Sequence, residues 1–434
     1  MNVFARIATP IAVLAAVGLT ATACAPSTSD NDAKKDDKSG TLRVWLFQEV
    51  NNEPKQKVVD QAVADFRAGH KDVKVDVTYI PIDTRAQKFK AAFNDPKSAP
   101  GLIEYGNTDT AGYVRDGGLA DISKEFAGWP QNKDTDPTAK ESVTVAGKTY
   151  GSPLFVGVRA LYYRTDVFKD LGLKPPTTQQ ELISTAKKVR AERSDLYGLV
   201  VGGAYTYGAL PFVWSNGGEL ATKEGGSYRS AIDSEQARGG IDVYASLFGD
   251  DNCPARKCAQ MGGNDTIEAF ASGKAGMAIG GDFNHQAVES SKVKGKYAVV
   301  PLPGKKAGEI APAFAGGNNI GLLKSSSHRT LGLDLMQSLT SKKTQNSLFD
   351  AMGFLPTYTD VREEAAARRP FVAPFVRTLD AGAKFVPASP GWASIDAGLV
   401  LPTMFQQIVS GRKDTDAAAG EASQKMNDAF AEAS

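Results

Sequence analysis

From residue 41 onward the apolar positions settle into strand-like runs alternating with helical spacing. Residues 41–47 form a short apolar run that predicts a strand. Residues 55–69 carry Val59, Ala62, Val63 and Phe66 at helical spacing, with Gly69 as the stop. Val73, Val75, Val77 and Tyr79 alternate with polar residues, the period of a strand with one face more buried. Residues 84–93 again read as helix, and the turn-rich NDPKSAPG at 94–101 precedes a strand over 102–105. This order predicts an α/β layer with a largely parallel sheet. In open sheets of that kind ligands bind beyond the carboxyl ends of the strands.

A second run of the same kind follows. The apolar stretch 150–163 is long enough to pass through two structural units. Residues 179–192 predict a helix with Leu182, Ala186 and Val189 inward, and 266–272 a helix stopped at Gly273. Residues 275–279 read as a strand, and the Ala-rich 414–431 as a final helix. A chain of 434 residues exceeds one ordinary core, so two lobes are expected. Hydrophobic residues at 42% and charged residues at 23% place it with globular proteins.

The first residues have a different character. Arg6 precedes an apolar run over 7–19, and the small residues Ala21, Thr22 and Ala23 stand directly before Cys24. This predicts a signal peptide over 1–23, too short to span a bilayer permanently. Small residues before a cysteine resemble a bacterial lipobox, although Ala21 stands where Leu is usual. The expectation is a protein exported and lipid-anchored through Cys24 to the outer face of the bacterial cell membrane. Ordinary cleavage after Ala23 is the alternative. Residues 24–40 lack aromatics and read as a flexible tether. Setting Arg6 aside leaves 49 basic and 49 acidic residues, a balance that gives no footprint for nucleic acid. Cys253 and Cys258 flank a turn-forming Pro254 and predict a small loop disulfide, since two cysteines lack the other ligands of a structural zinc.

Several motifs, in order, resemble the extracellular solute-binding proteins of carbohydrate ABC importers, in the maltose-binding-like cluster. They are VW at 44–45, GLIEYGNTD at 101–109, YGSP at 150–153, ALYYRTDVF at 160–168, WSNGGE at 214–219 and FASGKAGM at 270–277. PLPG at 301–304, GGNN at 316–319, GFLPT at 353–357 and SGR at 410–412 complete the series. Each alone is weak, because Gly-Gly and Pro-Gly commonly mark turns. Their shared order carries the resemblance.

The resemblance implies a two-lobed, periplasmic-binding-protein-like (type II) α/β fold with a hinge and an interlobe ligand cleft. It implies an N-terminal lobe over 41–155 and 318–368 and a C-terminal lobe over 156–317 and 369–434. It also implies an uncharged sugar as ligand, an ABC permease as partner, a monomer, and no cofactor or metal. Aromatic rings suit the C–H face of a pyranose, and Asp, Glu, Asn and Gln suit its hydroxyl rim. Positions matching family contact regions are Gln48, Glu49, Tyr105, Asn107 and Asp109 in the first lobe. Those in the second are Tyr205, Tyr207, Asp282, Phe283 and Trp392, with Phe155 and Asn318 at the crossings.

Plainer readings stand beside these. Trp45, Tyr162 and Tyr163 read as core, and Asn216 as a turn residue. Tyr105, Tyr207, Phe283 and Trp392 are divided between site and packing. Asp109 is either a helix cap or a contact. A glycan hydrolase would need two carboxylates about the scissile bond, and acidic residues are too common to decide. The chain has no Gly-x-Ser-x-Gly, His-Glu-x-x-His or Walker-type loop, and its three histidines are isolated. A receptor, not an enzyme, is the reading. The same fold could bind iron, polyamine or glycerol phosphate; for a phosphate ester, Arg85, Arg115 and Arg159 are available.

Overall fold

The computed structural model of the chain describes residues 36–49, 52–81, 84–225 and 227–433. The expected signal peptide, Cys24 and the expected tether as far as residue 35 lie outside the described residues. The end of the tether belongs to the folded body. Asp36 Oδ1 accepts from the Thr330 N–H at 3.0 Å, and the Asp37 N–H donates to Ser327 O at 2.7 Å. The first strand then starts at Gly40, one residue before the apolar run.

Two sheets organise the chain. The first has the order Val73–Ile80, Gly40–Phe47, Leu102–Gly106, Gly316–Leu322, Ser152–Gly157. Only Gly316–Leu322 runs against the others. It re-enters from the second sheet at the end where Ser152–Gly157 has left, so its direction must be reversed. The second sheet has the order Tyr297–Val300, Arg159–Arg164, Ala275–Gly281, Tyr197–Val200. Here Arg159–Arg164, the first strand after the crossing, is the reversed one. The largely parallel expectation therefore holds with one correction per sheet.

The long apolar run divides at a single residue. Val158 links the strands Ser152–Gly157 and Arg159–Arg164, and its N–H donates to Asp282 Oδ1 at 2.9 Å. On the return, Gly317 has φ +131°, and a Cβ there would lie 2.2 Å from Phe155 O. Only glycine lets the two crossing strands approach so closely.

Strand periodicity divides the first lobe's core between two faces. Leu42, Val44 and Leu46 pack with Val59 and Phe66 of the helix Glu53–Gly69. Phe47, Ile103 and Tyr105 pack on the other face with Phe89. Trp45, partly buried, packs against this cluster and stacks on Phe89 at 6.4 Å. The second lobe's helix Gln179–Glu192 starts where expected, with Thr178 Oγ1 accepting from the Glu181 N–H at 3.0 Å, and buries Leu182, Ala186 and Val189. Tyr162 is fully buried in the same core. That core reaches back to Phe349, Leu355 and Ala365, so the segment before residue 369 packs with both lobes. The final helix is Thr415–Glu432, capped by Asp414 through the Ala417 N–H at 2.7 Å. Cys253 and Cys258 form a disulfide, both fully buried.

A buried charge ties the strand ends of the first lobe together. Lys55 is 1% exposed and Glu104 0%. Lys55 Nζ donates to Glu104 Oε2 and Glu49 Oε1, each at 2.9 Å, and to Phe47 O at 2.9 Å. Glu104 also accepts from the Phe47 N–H at 2.9 Å and from Asn318 Nδ2 at 2.7 Å. Burial alone would lower the Lys55 pKa, but Glu104 and then Glu49 more than reverse it, and the pKa is raised. Removing one partner of such a pair strands the other. We predict that Lys55→Met destabilises the protein by about 3–5 kcal/mol in urea unfolding. Adding Glu104→Gln should recover more than half of that loss. Equal stability of Lys55→Met and wild type would show that the pair is not what it looks like.

Candidate functional site

The site grows from the crossing. Arg159, the first residue after Val158, sits in a collar of aromatic rings. Its guanidinium carbon is 5.8, 5.3, 5.5 and 5.6 Å from the ring centroids of Tyr205, Tyr207, Phe283 and Phe314. Arg159 Nε donates to Tyr205 Oη at 3.0 Å. Its Nη1 is buried without a hydrogen-bond partner among the described residues. Local geometry sets the collar. Tyr205 precedes the helix Thr206–Ser215, whose first turn carries Tyr207, and Tyr207 stacks on Phe314 at 4.2 Å. Phe283 follows the strand Ala275–Gly281 and is 36% exposed.

The first lobe faces this collar with charge. Asp109 Oδ2 lies 3.5 Å from Arg85 Nε and accepts from Tyr113 Oη at 3.5 Å. It makes no cap bond to the helix Thr110–Arg115, so the capping alternative is set aside. Burial raises the Asp109 pKa; Arg85 opposes this, and Asp396 of the second lobe raises it further. Asp396 itself is raised by burial, with Arg85 opposing. The Tyr207 hydroxyl pKa is raised mainly by burial, and it feels Asp396, Arg159, Asp109 and Arg85.

The lobes touch here. Arg115 Nη1 donates to Pro390 O at 3.5 Å, and Asn107 Nδ2 donates to Ala315 O at 2.8 Å. A cavity of about 300 Å³ opens beside this contact. Asn107, Thr108 and Ser142 line it from one lobe, and Trp214, Glu219 and Lys384 from the other. Its volume lies at the lower end of the range for small-molecule pockets, about 300–1,000 Å³.

Of the residues singled out from sequence, Tyr205, Tyr207, Asp282 and Phe283 come together around Arg159, with Asp109 near them. Asn107 lines the neighbouring cavity. Others have different roles. Tyr105 is fully buried in the first lobe's core, with its ring 5.9 Å from that of Tyr113. A side chain facing inward from the sheet cannot meet a cleft ligand, so its candidacy is corrected to packing. Gln48 is exposed at a strand end, Glu49 is held by Lys55, and Asn318 is bonded to Glu104. Phe155 stacks on Phe354 at 4.2 Å. Trp392 is 2% exposed within the second core, its indole nitrogen without a partner among the described residues. Asn216 is the turn residue expected, donating to Phe212 O at 2.8 Å before Gly217 at φ +80°. Sequence reasoning missed Phe314 and Asp396, which carry no local signal, and left Arg159 unplaced.

Comparison with known proteins adds independent support. The profile described as bacterial extracellular solute-binding protein matches residues 51–346. The diacetylchitobiose binding protein DasA of Streptomyces coelicolor is 27% identical over 425 residues, covering 94% of this chain and 96% of that protein. The solved GacH receptor of Streptomyces glaucescens GLA.O superposes with a TM-score of 0.78 at 22% identity, covering 91% of this chain and 100% of the other. A solute binding protein from Thermotoga lettingae TMO, bound with α-D-tagatose, gives 0.78 at 24% identity, covering 90% and 100%. At such identities these two structures establish the two-lobed fold.

Asp282 generates a pH prediction. It is fully buried, only Oδ1 is bonded, and burial pushes its pKa up to about 7. The unfolded carboxyl titrates near its ordinary value of 3.8. The native state therefore carries no penalty below that value, and the full penalty above about 7. Asn at this position keeps the acceptor for Val158 and removes the charge. Between about pH 5.5 and about pH 8, unfolding free energies should move by about 2 kcal/mol in favour of Asp282→Asn over wild type. Parallel pH profiles for the two proteins in urea titrations would refute this.

Proposed function

Because the chain belongs to the family of bacterial extracellular solute-binding proteins, we propose that it is the substrate-binding component of an ABC-type sugar importer. It takes a mono- to oligosaccharide between its lobes and hands it to a membrane permease. The observation that carries this reading is the ring collar facing buried carboxylates across a lobe contact. Rings cover the apolar face of a pyranose, and carboxylates accept from its hydroxyls. The sugars named for the relative in Streptomyces coelicolor and the neighbour from Thermotoga lettingae support the ligand class.

The ligand would touch both lobes in the closed form only, so its differential affinity favours closure. Tyr205, Tyr207, Phe283 and Asp109 are our candidates for contact, with Asn107 at the adjoining cavity. Lobe limits at 155/156, 317/318 and 368/369, a monomeric state and an anchor through acylated Cys24 complete the proposal. The mass of the mature N-terminal peptide tests the anchor. No chemistry is performed on the sugar.

A thermal-shift screen over mono-, di- and oligosaccharides should find a ligand that raises the melting temperature. Tyr207→Ala should then weaken that ligand by at least about tenfold, or about 1.4 kcal/mol, in calorimetry. The bound sugar should be recovered unchanged after incubation. Cleavage products, or a screen in which no sugar binds, would sink the reading.

A further inference from the structure

Arg159 combines three features that an ordinary structural arginine lacks. It is the first residue after the crossing, four aromatic rings surround it, and no carboxylate forms an ion pair with it among the described residues. Ring faces compensate a cation in part, but they offer no acceptor in the plane of a guanidinium. Tyr205 Oη takes the Nε proton, while Nη1 stays buried and unpartnered within the protein. Leaving a buried donor unsatisfied is costly, and a charged donor more so. The nearby buried Asp282 turns its bonded oxygen to Val158; its other oxygen is unbonded and its carboxyl feels the Arg159 charge, but it makes no hydrogen bond to Arg159.

We infer that Arg159 is a specificity-determining residue that selects a sugar presenting a proton-free oxygen, an acylamino carbonyl or a carboxylate, over one presenting hydroxyls alone. This rests on the sugar-binding reading above. A guanidinium donates and never accepts. A hydroxyl docked on it would still have its own proton to place among ring faces. A carbonyl or carboxylate oxygen brings no such proton and accepts directly, and a carboxylate also adds a directly bonded negative charge.

Three β-1,4 disaccharides of the same ring configuration separate the cases: cellobiose, N,N′-diacetylchitobiose with an acetamido group on each ring, and cellobiouronic acid with one carboxylate. In calorimetry on the full folded chain, the acylated or the acidic sugar should bind at least about tenfold tighter than cellobiose. Which of the two is favoured identifies the oxygen. Arg159→Gln should weaken the favoured sugar by about tenfold or more, and cellobiose by less than about threefold. Equal weakening of all three sugars would mean that Arg159 only shapes the site, and would overturn the inference. Tyr205→Phe, which removes the acceptor that holds the guanidinium in place through Nε and keeps the charge, should lower the preference by about threefold or more. If Arg159→Gln does not fold, an unchanged preference in Tyr205→Phe overturns the inference by itself. Cellobiose binding as tightly as the other two removes the inference and leaves the sugar reading standing. Failure of every sugar in a broad screen removes both.

Discussion

A lysine ammonium sealed between two carboxylates fixes the geometry on which the first lobe depends. Lys55 comes from the first helix, Glu104 from an inner strand, and Glu49 from the loop between strand and helix. Such a group cannot slide, because every displacement leaves a desolvated charge without its partner. Glu104 then holds the Asn318 side chain, so the position of the returning strand is set by the same charge. From that strand follow Gly317 and Gly316, and through them the approach of the second lobe.

The second lobe answers with a different device. Asp282 binds the single linking residue Val158, although its carboxyl is driven toward the neutral form by burial. Arg159 beside it carries a charge set among rings, with no carboxylate hydrogen-bonded to it among the described residues. The lobes thus meet with unlike electrostatics. The first presents Asp109 paired with Arg85, and the second presents a cation in an aromatic wall with Asp396 at its edge. Each side thus carries one guanidinium and one carboxylate, an ion pair in the first lobe and not in the second.

How much of this could be read from the chain depended on the range of the cause. The helix Gln179–Glu192 was legible because the spacing of Leu182, Ala186 and Val189 is local. That the apolar run passes through two units was legible too, but not that it breaks at Val158, where a carboxylate more than a hundred residues later binds. Tyr105 and Tyr207 are both aromatics beside glycine and look alike in sequence. Register separates them: Tyr105 pairs with Asn319 in mid-sheet and faces the core, while Tyr207 opens a helix at the cleft. Phe314 and Asp396 were invisible for the same reason, since their roles exist only once distant segments meet.

The two crossing strands are hydrogen-bonded neighbours, Gly316 opposite Gly157 and Gly317 opposite Val156. They form one ribbon, not two independent cords. A ribbon bends readily across its flat face and resists shear along its length, because sliding would break the ladder. At this crossing, sliding of one strand past the other is therefore the motion most strongly opposed, and bending across the flat face the least.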